Sequence, residues 1–124
     1  MLIENLYKVK GNYFDDNTGK LNTIISLNSD NDIFKGHFPQ APVLPGVCIL
    51  QILKESIELI KDKKYNVVKV VEMKFLNMIN PLLNPEIHFE TKIEEVNEIT
   101  NVSSTVFFEN IIFCKIRINL VGNN

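Results

Sequence analysis

At residues 45–60 the chain reads PGVCILQILKESIELI, and this segment decides the fold. Apolar side chains fill nearly every position of its first two turns, whereas Lys54, Glu55 and Glu58 give its second half a polar face. This spacing predicts a helix that is buried at its amino end and emerges at its carboxyl end. Pro45 suits the first turn of such a helix, because its missing N–H needs no partner there.

Short segments rich in β-branched and aromatic residues flank this helix. Two strands are predicted before it, at residues 6–14 and 21–27, with a run of turn-forming residues between them. Four more are predicted after it, at residues 67–73, 87–96, 101–108 and 111–121. A helix with so much apolar surface needs cover on most sides. We therefore expect one α+β domain over residues 1–124, in which a curved antiparallel sheet wraps around one long central helix.

Composition excludes several classes of protein. The chain has 124 residues, is 45% hydrophobic and carries a net charge of −2, which is typical of one globular domain and argues against a nucleic-acid partner. Its apolar runs are shorter than the roughly 18 residues of a membrane span, so we expect no membrane insertion. The amino terminus lacks the apolar core of a secretory signal, and we expect a cytoplasmic protein.

Two cysteines and the acidic residues give no sign of a metal site. Cys48 and Cys114 lie in apolar runs without a C-x-x-C spacing, which favours buried free thiols. We find no cluster of metal ligands and expect no metal ion.

The long loop before the helix carries the candidate chemistry. Residues 29–46 contain three prolines and two glycines yet keep large apolar side chains, and long loops of this kind are often functional. His37 lies in its rigid apolar part and could act as a general base, since the unperturbed pKa of histidine is about 6.5. A structural or solvated histidine is the alternative. His88 alternates with glutamates on a polar strand face, and we expect it to be exposed and non-catalytic.

The first residues of the helix add a second element. The backbone N–H groups of Gly46 and Val47 have no acceptor inside the helix and lie at its positive end, where they could bind a carbonyl oxygen that becomes negative. Gly46 would let a ligand approach the backbone closely. A glycine needed only for the turn is the alternative.

The string GHFPQAPVLPGV at residues 36–47 resembles the G-H-F-P-x-x-P-x-x-P-G-V signature of the β-hydroxyacyl-acyl-carrier-protein dehydratases, which have the hotdog fold. Lys74-Phe75, followed by Pro81 and Pro85, is similar to a second and weaker feature of that family. The resemblance implies a hotdog domain that removes water from a 3-hydroxyacyl thioester to give the trans-2-enoyl thioester, in fatty-acid or related acyl-chain biosynthesis.

The resemblance also implies roles for individual residues and for partners. His37 would remove the proton next to the thioester, the Gly46 N–H would stabilise the enolate-like oxygen, and Phe38, Pro45 and Val47 would contact the substrate. The substrate would arrive on the phosphopantetheine of an acyl carrier protein, with no other cofactor. The acyl tunnel would lie between two subunits of a homodimer, or of a higher oligomer of dimers.

One position departs from the family pattern. Five residues after the helix glycine, where the family usually has a glutamate or aspartate, this chain has Gln51, and an amide has no proton to give near neutral pH. Gln51 could position the hydroxyl while His37 carries the proton. Glu55 could reach the site instead, since the family often has a glutamine there, although Lys54 and Glu58 favour a solvated glutamate.

Other readings stay open at this point. The chain could be a non-catalytic subunit that binds acyl thioesters, or a thioesterase of the same fold. Lys35, beside the motif, is a candidate contact for an acidic carrier protein. Ile111 and Phe113 make the start of the last strand apolar on both faces, which favours burial at a subunit interface.

Overall fold

The computed structural model describes residues 4–35 and 42–123. Its strands are β1 (Tyr7–Asp15), β2 (Lys20–Leu27), β3 (Lys64–Phe75), β4 (Glu86–Val96), β5 (Ile99–Phe108) and β6 (Ile111–Asn123). One long helix, α1 (Gly46–Lys61), lies between β2 and β3 in the chain, and a short 3-10 helix at Asp32–Phe34 precedes it. The predicted order of two strands, one helix and four strands is confirmed, with bounds that differ by a few residues.

The strands form one six-stranded sheet in the order β1-β2-β4-β5-β6-β3, and every neighbouring pair is antiparallel. Irregularities in register bend both edge strands, at Val9/Gly11 in β1 and at Val67/Lys69 and Val70/Glu72 in β3. Bulges of this kind increase local twist and curvature. Side chains of the inner face join one face of α1 in a single core, which contains Ile25, Ile49, Ile52, Leu53, Ile57, Ile87, Phe89, Ile116 and Ile118. The predicted sheet around one central helix is confirmed.

The start of α1 differs by one position from the expectation. Pro45 is the N-cap residue, with extended backbone angles, and the helix begins at Gly46. The carbonyl of Pro45 accepts the N–H groups of Cys48 and Ile49 at 3.0 and 3.2 Å. At the other end, Asp62 adopts a left-handed conformation with φ 51° and donates its N–H to the carbonyl of Glu58. Pro45 is therefore the last residue of the loop and lies just outside the helix. Its fixed φ is compatible with the extended backbone angles found there.

The expected burial of α1 holds only in part, since Cys48 and Ile49 are buried and Leu59 is exposed. Val47, at the amino end, is 71% exposed, whereas Ile57 and Glu58, near the carboxyl end, are 0% and 8% exposed. The buried residues follow one stripe at helical spacing along the whole length of α1. The sheet therefore covers one side of the helix from end to end, and it leaves apolar Val47 uncovered on the other side.

The start of β6 also differs from the expectation. Phe113 is only 2% exposed and belongs to the core of its own chain, whereas Ile111 is 42% exposed. The pairing of β5 with β6 changes register between Val106 and Phe107, so that Phe113 and Cys114 are both buried. The hypothesis that Phe113 lies at a subunit interface is therefore wrong.

The strand β3 is the exposed edge of the sheet beside β6. It is 12 residues long and pairs on one side only, with β6. Four of its valines are 39–56% exposed: Val67, Val68, Val70 and Val71. The strand also carries charged residues, and its unpaired edge offers backbone groups to another strand.

Among the described residues, no helix combines the length and apolarity that crossing a membrane would require. The cytoplasmic location stays a prediction.

Candidate active site

The amino end of α1 forms one wall of the candidate site. Gly46 and Val47 are its first two residues, and within residues 4–35 and 42–123 no backbone acceptor is recorded for their N–H groups. Unpaired N–H groups at the positive end of a helix favour a negative or polarised oxygen. The helix start places both N–H groups at its positive end, and their role in binding stays a prediction.

Phe75 explains why residue 46 is a glycine. A Cβ at position 46 would lie 2.7 Å from Phe75 Cζ, 3.3 Å from Phe75 Cε1 and 3.4 Å from Met73 Cε. A side chain at position 46 would therefore displace the Phe75 ring from its present position. Gly46 therefore allows the end of β3 to lie directly against the start of the helix.

An apolar groove of about 440 Å³ opens beside this helix start. Its walls come from residues 43–46 and Ile49 on one side and from residues 75–79 on the other. A backbone hydrogen bond of 2.9 Å from Leu44 N to Ile79 O ties the two walls together. Phe75 and Met78 are 58% and 75% exposed at the rim. The groove can hold an apolar chain whose polar end lies near the N–H groups of α1.

Gln51 belongs to a second cluster, farther along the helix. Its side-chain Nε2 donates to Glu55 Oε2 at 2.9 Å, and the hydroxyl of Tyr7, on β1, donates to Glu55 Oε1 at 2.5 Å. Gln51 and Glu55 are half-buried, and Tyr7 is 6% exposed. Burial raises the pKa of Tyr7, and the hydrogen bond to Glu55 and the charges of Glu55 and Glu58 add to the rise. The tyrosine therefore keeps its proton and donates a hydrogen bond to this carboxylate.

Glu55 is half-buried and hydrogen-bonded, rather than simply solvated as one alternative had it. Lys54 does not hold Glu55 at the surface but pairs with Glu58 at 3.3 Å. Glu58 is 8% exposed and accepts the backbone N–H of Tyr65 at 2.9 Å. Sequence reasoning missed Tyr7, which lies 48 residues from Glu55 and carries no motif. Only the packing of β1 against α1 brings the two together.

Within one chain, Gln51 lies away from the start of α1 and from the groove. Five residues at 3.6 per turn separate Gly46 and Gln51 by about 140° around the helix and ~7.5 Å along its axis. Gln51 does not line the groove, whereas Gly46, Val43 and Phe75 do. The two groups thus face different sides of the subunit.

Two of the predicted site residues, His37 and Phe38, lie outside the described residues, which resume at Pro42. Pro45 lines the groove, and Val47 is exposed next to it. Lys35 ends the preceding described segment, where it is exposed and pairs with Asp32 at 3.4 Å.

His88 and the two cysteines lie outside both the groove and the cluster of Gln51, Glu55 and Tyr7. His88 is on the sheet face opposite α1, half-buried against Phe107 and Phe108, with Nε2 2.9 Å from Glu86 Oε2. Cys48 and Cys114 are buried free thiols, as predicted. Burial raises the pKa of both, that of Cys114 to about 11.

A six-stranded antiparallel sheet wrapped around one helix is the hotdog fold, and solved structures share it. A chain of the dehydratase heterocomplex ApeI:P from Xenorhabdus doucetiae superimposes with a TM-score of 0.73 at 16% identity, covering 92% of this chain and 96% of that chain. The candidate thioesterase yhdA of Lactococcus lactis gives 0.70 at 12% identity, covering 98% and 95%. At these identities the likeness establishes the fold alone.

Sequence comparison establishes the family. The sequence model of the ApeI-like family, described as ApeI dehydratase, matches residues 14–107, so the chain belongs to this family. A 3-hydroxyacyl-[acyl-carrier-protein] dehydratase FabZ from Shewanella loihica is 29% identical over 83 residues, which cover 59% of this chain and 53% of that protein. The chain thus spans about half the length of the curated relatives it matches.

Proposed function

We propose that this protein is a hydro-lyase that eliminates water from a 3-hydroxyacyl thioester to give the trans-2-enoyl thioester. The observation that carries the proposal is the apolar groove beside the N–H groups of Gly46 and Val47, for which the described residues provide no backbone acceptor. The groove suits an acyl chain, and the N–H groups suit the thioester oxygen at its end. Membership of a dehydratase family supports the same reaction.

In the proposed reaction His37 takes the proton from C2 of the substrate. The electron pair of that C–H bond delocalises onto the thioester oxygen, where the Gly46 N–H stabilises the negative charge. As the double bond between C2 and C3 forms, the C3–O bond breaks. The imidazolium of His37 returns its proton to the departing oxygen, and water leaves. No proton is required from Gln51, which positions the hydroxyl.

We propose that two copies of the chain build each site. Gly46 and Gln51 face different sides of one subunit, so a single substrate reaches both only when the second group comes from another chain. The exposed valines of β3 offer an edge along which two copies can pair, which would extend the sheet across both subunits. The similar chain from Xenorhabdus doucetiae belongs to a heterocomplex, so a different subunit is the alternative partner.

The substrate carrier follows from the same proposal. We expect the acyl group to arrive on the phosphopantetheine arm of an acyl carrier protein in the cytoplasm, with no further cofactor. Lys35 remains a candidate contact for the acidic carrier. Its ion pair with Asp32 is exposed and of little strength, so the lysine can exchange partners.

A direct assay tests the function. The purified protein is incubated with a 3-hydroxyacyl carrier-protein thioester, and the enoyl product and free thiol are followed together, with His37→Ala in parallel. Enoyl product that depends on His37 supports the dehydratase. Release of free thiol would instead indicate a thioesterase, and binding without turnover would indicate a non-catalytic subunit. Full activity in His37→Ala would contradict the proposed base.

A further inference from the structure

The NH₂ group of the Gln51 side-chain amide is held by a hydrogen bond to a neighbouring glutamate. Its Nε2 donates to Glu55 Oε2 at 2.9 Å. An ionised carboxylate only accepts hydrogen bonds, so the NH₂ group of the amide must be the end that faces it. The carbonyl oxygen Oε1 then lies at the other end, and no residue within 4–35 or 42–123 is found donating to it.

Glu55 is itself fixed by a tyrosine from the edge of the sheet. Tyr7 packs in the core at 6% exposure, pairs with Leu27 in the sheet, and donates its hydroxyl to Glu55 Oε1 at 2.5 Å. The two carboxylate oxygens therefore have separate donors, Tyr7 on one and Gln51 on the other.

We propose that Tyr7 and Glu55 are positioning residues that hold Gln51 with its carbonyl oxygen toward the substrate, so that Gln51 accepts the hydrogen bond of the substrate's 3-hydroxyl group. This inference rests on the proposed dehydration. A carbonyl that binds the hydroxyl hydrogen leaves the lone pairs of the hydroxyl oxygen free to receive the proton from His37. Gln51 neither gains nor loses a proton, so the balance of the reaction is unchanged.

The test compares ligands that differ only in their ability to donate. Two unreactive pantetheine amides are prepared, one with a 3-hydroxyacyl and one with a 3-fluoroacyl chain, since fluorine cannot donate a hydrogen bond. Their affinities are measured by calorimetry for the full-length wild type, Tyr7→Phe and Glu55→Gln. Tyr13→Phe, at an exposed position, and Thr23→Val, which removes a hydrogen bond to Asn12 on the same side of the core, serve as matched controls.

The wild type is expected to prefer the hydroxy ligand by about tenfold, the worth of one hydrogen bond. The preference should fall to less than threefold in Glu55→Gln, because an amide at position 55 no longer dictates which end of Gln51 faces it. Tyr7→Phe should give an intermediate ratio, and both controls should keep the wild-type ratio. An unchanged ratio in Glu55→Gln would overturn the inference, as would a wild type that binds the two ligands equally.

A second measurement does not depend on ligand or turnover. Gln40 and Gln51 are the only two glutamines of the sequence, so the ¹⁵N side-chain amide signals of Gln51 can be assigned from their loss in Gln51→Glu. They are expected to shift in Tyr7→Phe and Glu55→Gln but not in Tyr13→Phe. Signals that stay in place in Glu55→Gln would refute the contact itself.

Turnover separates this inference from the proposed function. If the wild type makes no enoyl product yet shows the hydroxyl preference and its loss in Glu55→Gln, the dehydratase fails and the positioning role stands. If the wild type is active, kcat should fall about tenfold in Glu55→Gln with little change in KM. An active enzyme whose kcat is the same in that variant would exclude the positioning role.

Discussion

Phe75 lies against Gly46 so closely that a Cβ at position 46 would come within 2.7 Å of the ring. The contact joins the last residue of β3 to the first residue of α1, and both residues line the apolar groove. The shape of the groove at the helix start therefore depends on the absence of a Cβ at position 46, because a Cβ there would displace the Phe75 ring.

Gly46→Ala should weaken ligand binding while hardly changing stability. Phe75 is 58% exposed, so its ring can swing toward solvent to make room, and alanine is the better helix former by up to about 1 kcal/mol. We expect KM to rise roughly tenfold, with a melting temperature within a few degrees of the wild type. Phe75→Ala is the control, because it widens the groove without blocking the N–H groups. An unchanged KM in Gly46→Ala would show that the substrate does not bind at this helix start.

Charges on β3 should separate the proposed subunits. Val68→Lys together with Val71→Lys replaces two of the exposed valines of β3 with charged residues in each copy, and burying unpaired charge is costly. We expect the dimer dissociation constant to rise at least about a hundredfold, measured by sedimentation equilibrium. Val9→Lys, at an exposed valine of the opposite edge strand β1, is the matched control and should leave the mass unchanged. Dissociation by the control alone would place the interface on β1.

Exchanging the amide and the acid on α1 tests their coupling. Gln51→Glu alone would place two carboxylates one turn apart where a hydrogen bond of 2.9 Å now exists, so we expect lower stability and a lower dehydration rate. Adding Glu55→Gln restores one acid and one amide. The double variant should recover stability and exceed the single variant in rate, as followed by urea unfolding and enoyl formation. Additive effects of the two changes would contradict direct contact between the side chains.

The buried thiol of Cys114 makes stability depend on pH at the alkaline end. Its pKa is raised by burial from 9.0 to about 11, so above pH 9 the unfolded chain loses a proton that the folded chain keeps. The contribution to stability is complete below pH 9 and declines between pH 9 and 11. We expect the urea midpoint to fall over this range, and to fall less in Cys114→Val. Equal declines in the two proteins would mean that other groups account for the loss.

Local pattern predicted much of this fold because strands and helices leave periodic signatures. The alternation of residues 87–96 placed Ile87 and Phe89 in the core, where both are buried. The loop motif at residues 36–47 predicted the helix start to within one residue, since proline fixes φ and has no N–H to donate inside a helix. His37 and Phe38 stay predictions.

Contacts between distant segments could not be predicted in this way. Tyr7 reaches Glu55 only because β1 packs beside α1, and neither residue has a neighbour in sequence that signals the other. Phe113 was expected at an interface but lies in the core, because the shift in register between β5 and β6 turns it inward.

The sequence by itself determined the order of the elements and the place of the helix among them, both of which depend on patterns among residues within a few positions of one another. Only the tertiary structure decided which side of α1 the sheet covers, that Phe75 meets Gly46, and that Tyr7 and Gln51 share Glu55. Those outcomes depend on how the strands register and curve, and each is the joint result of many weak contacts between segments far apart in the chain.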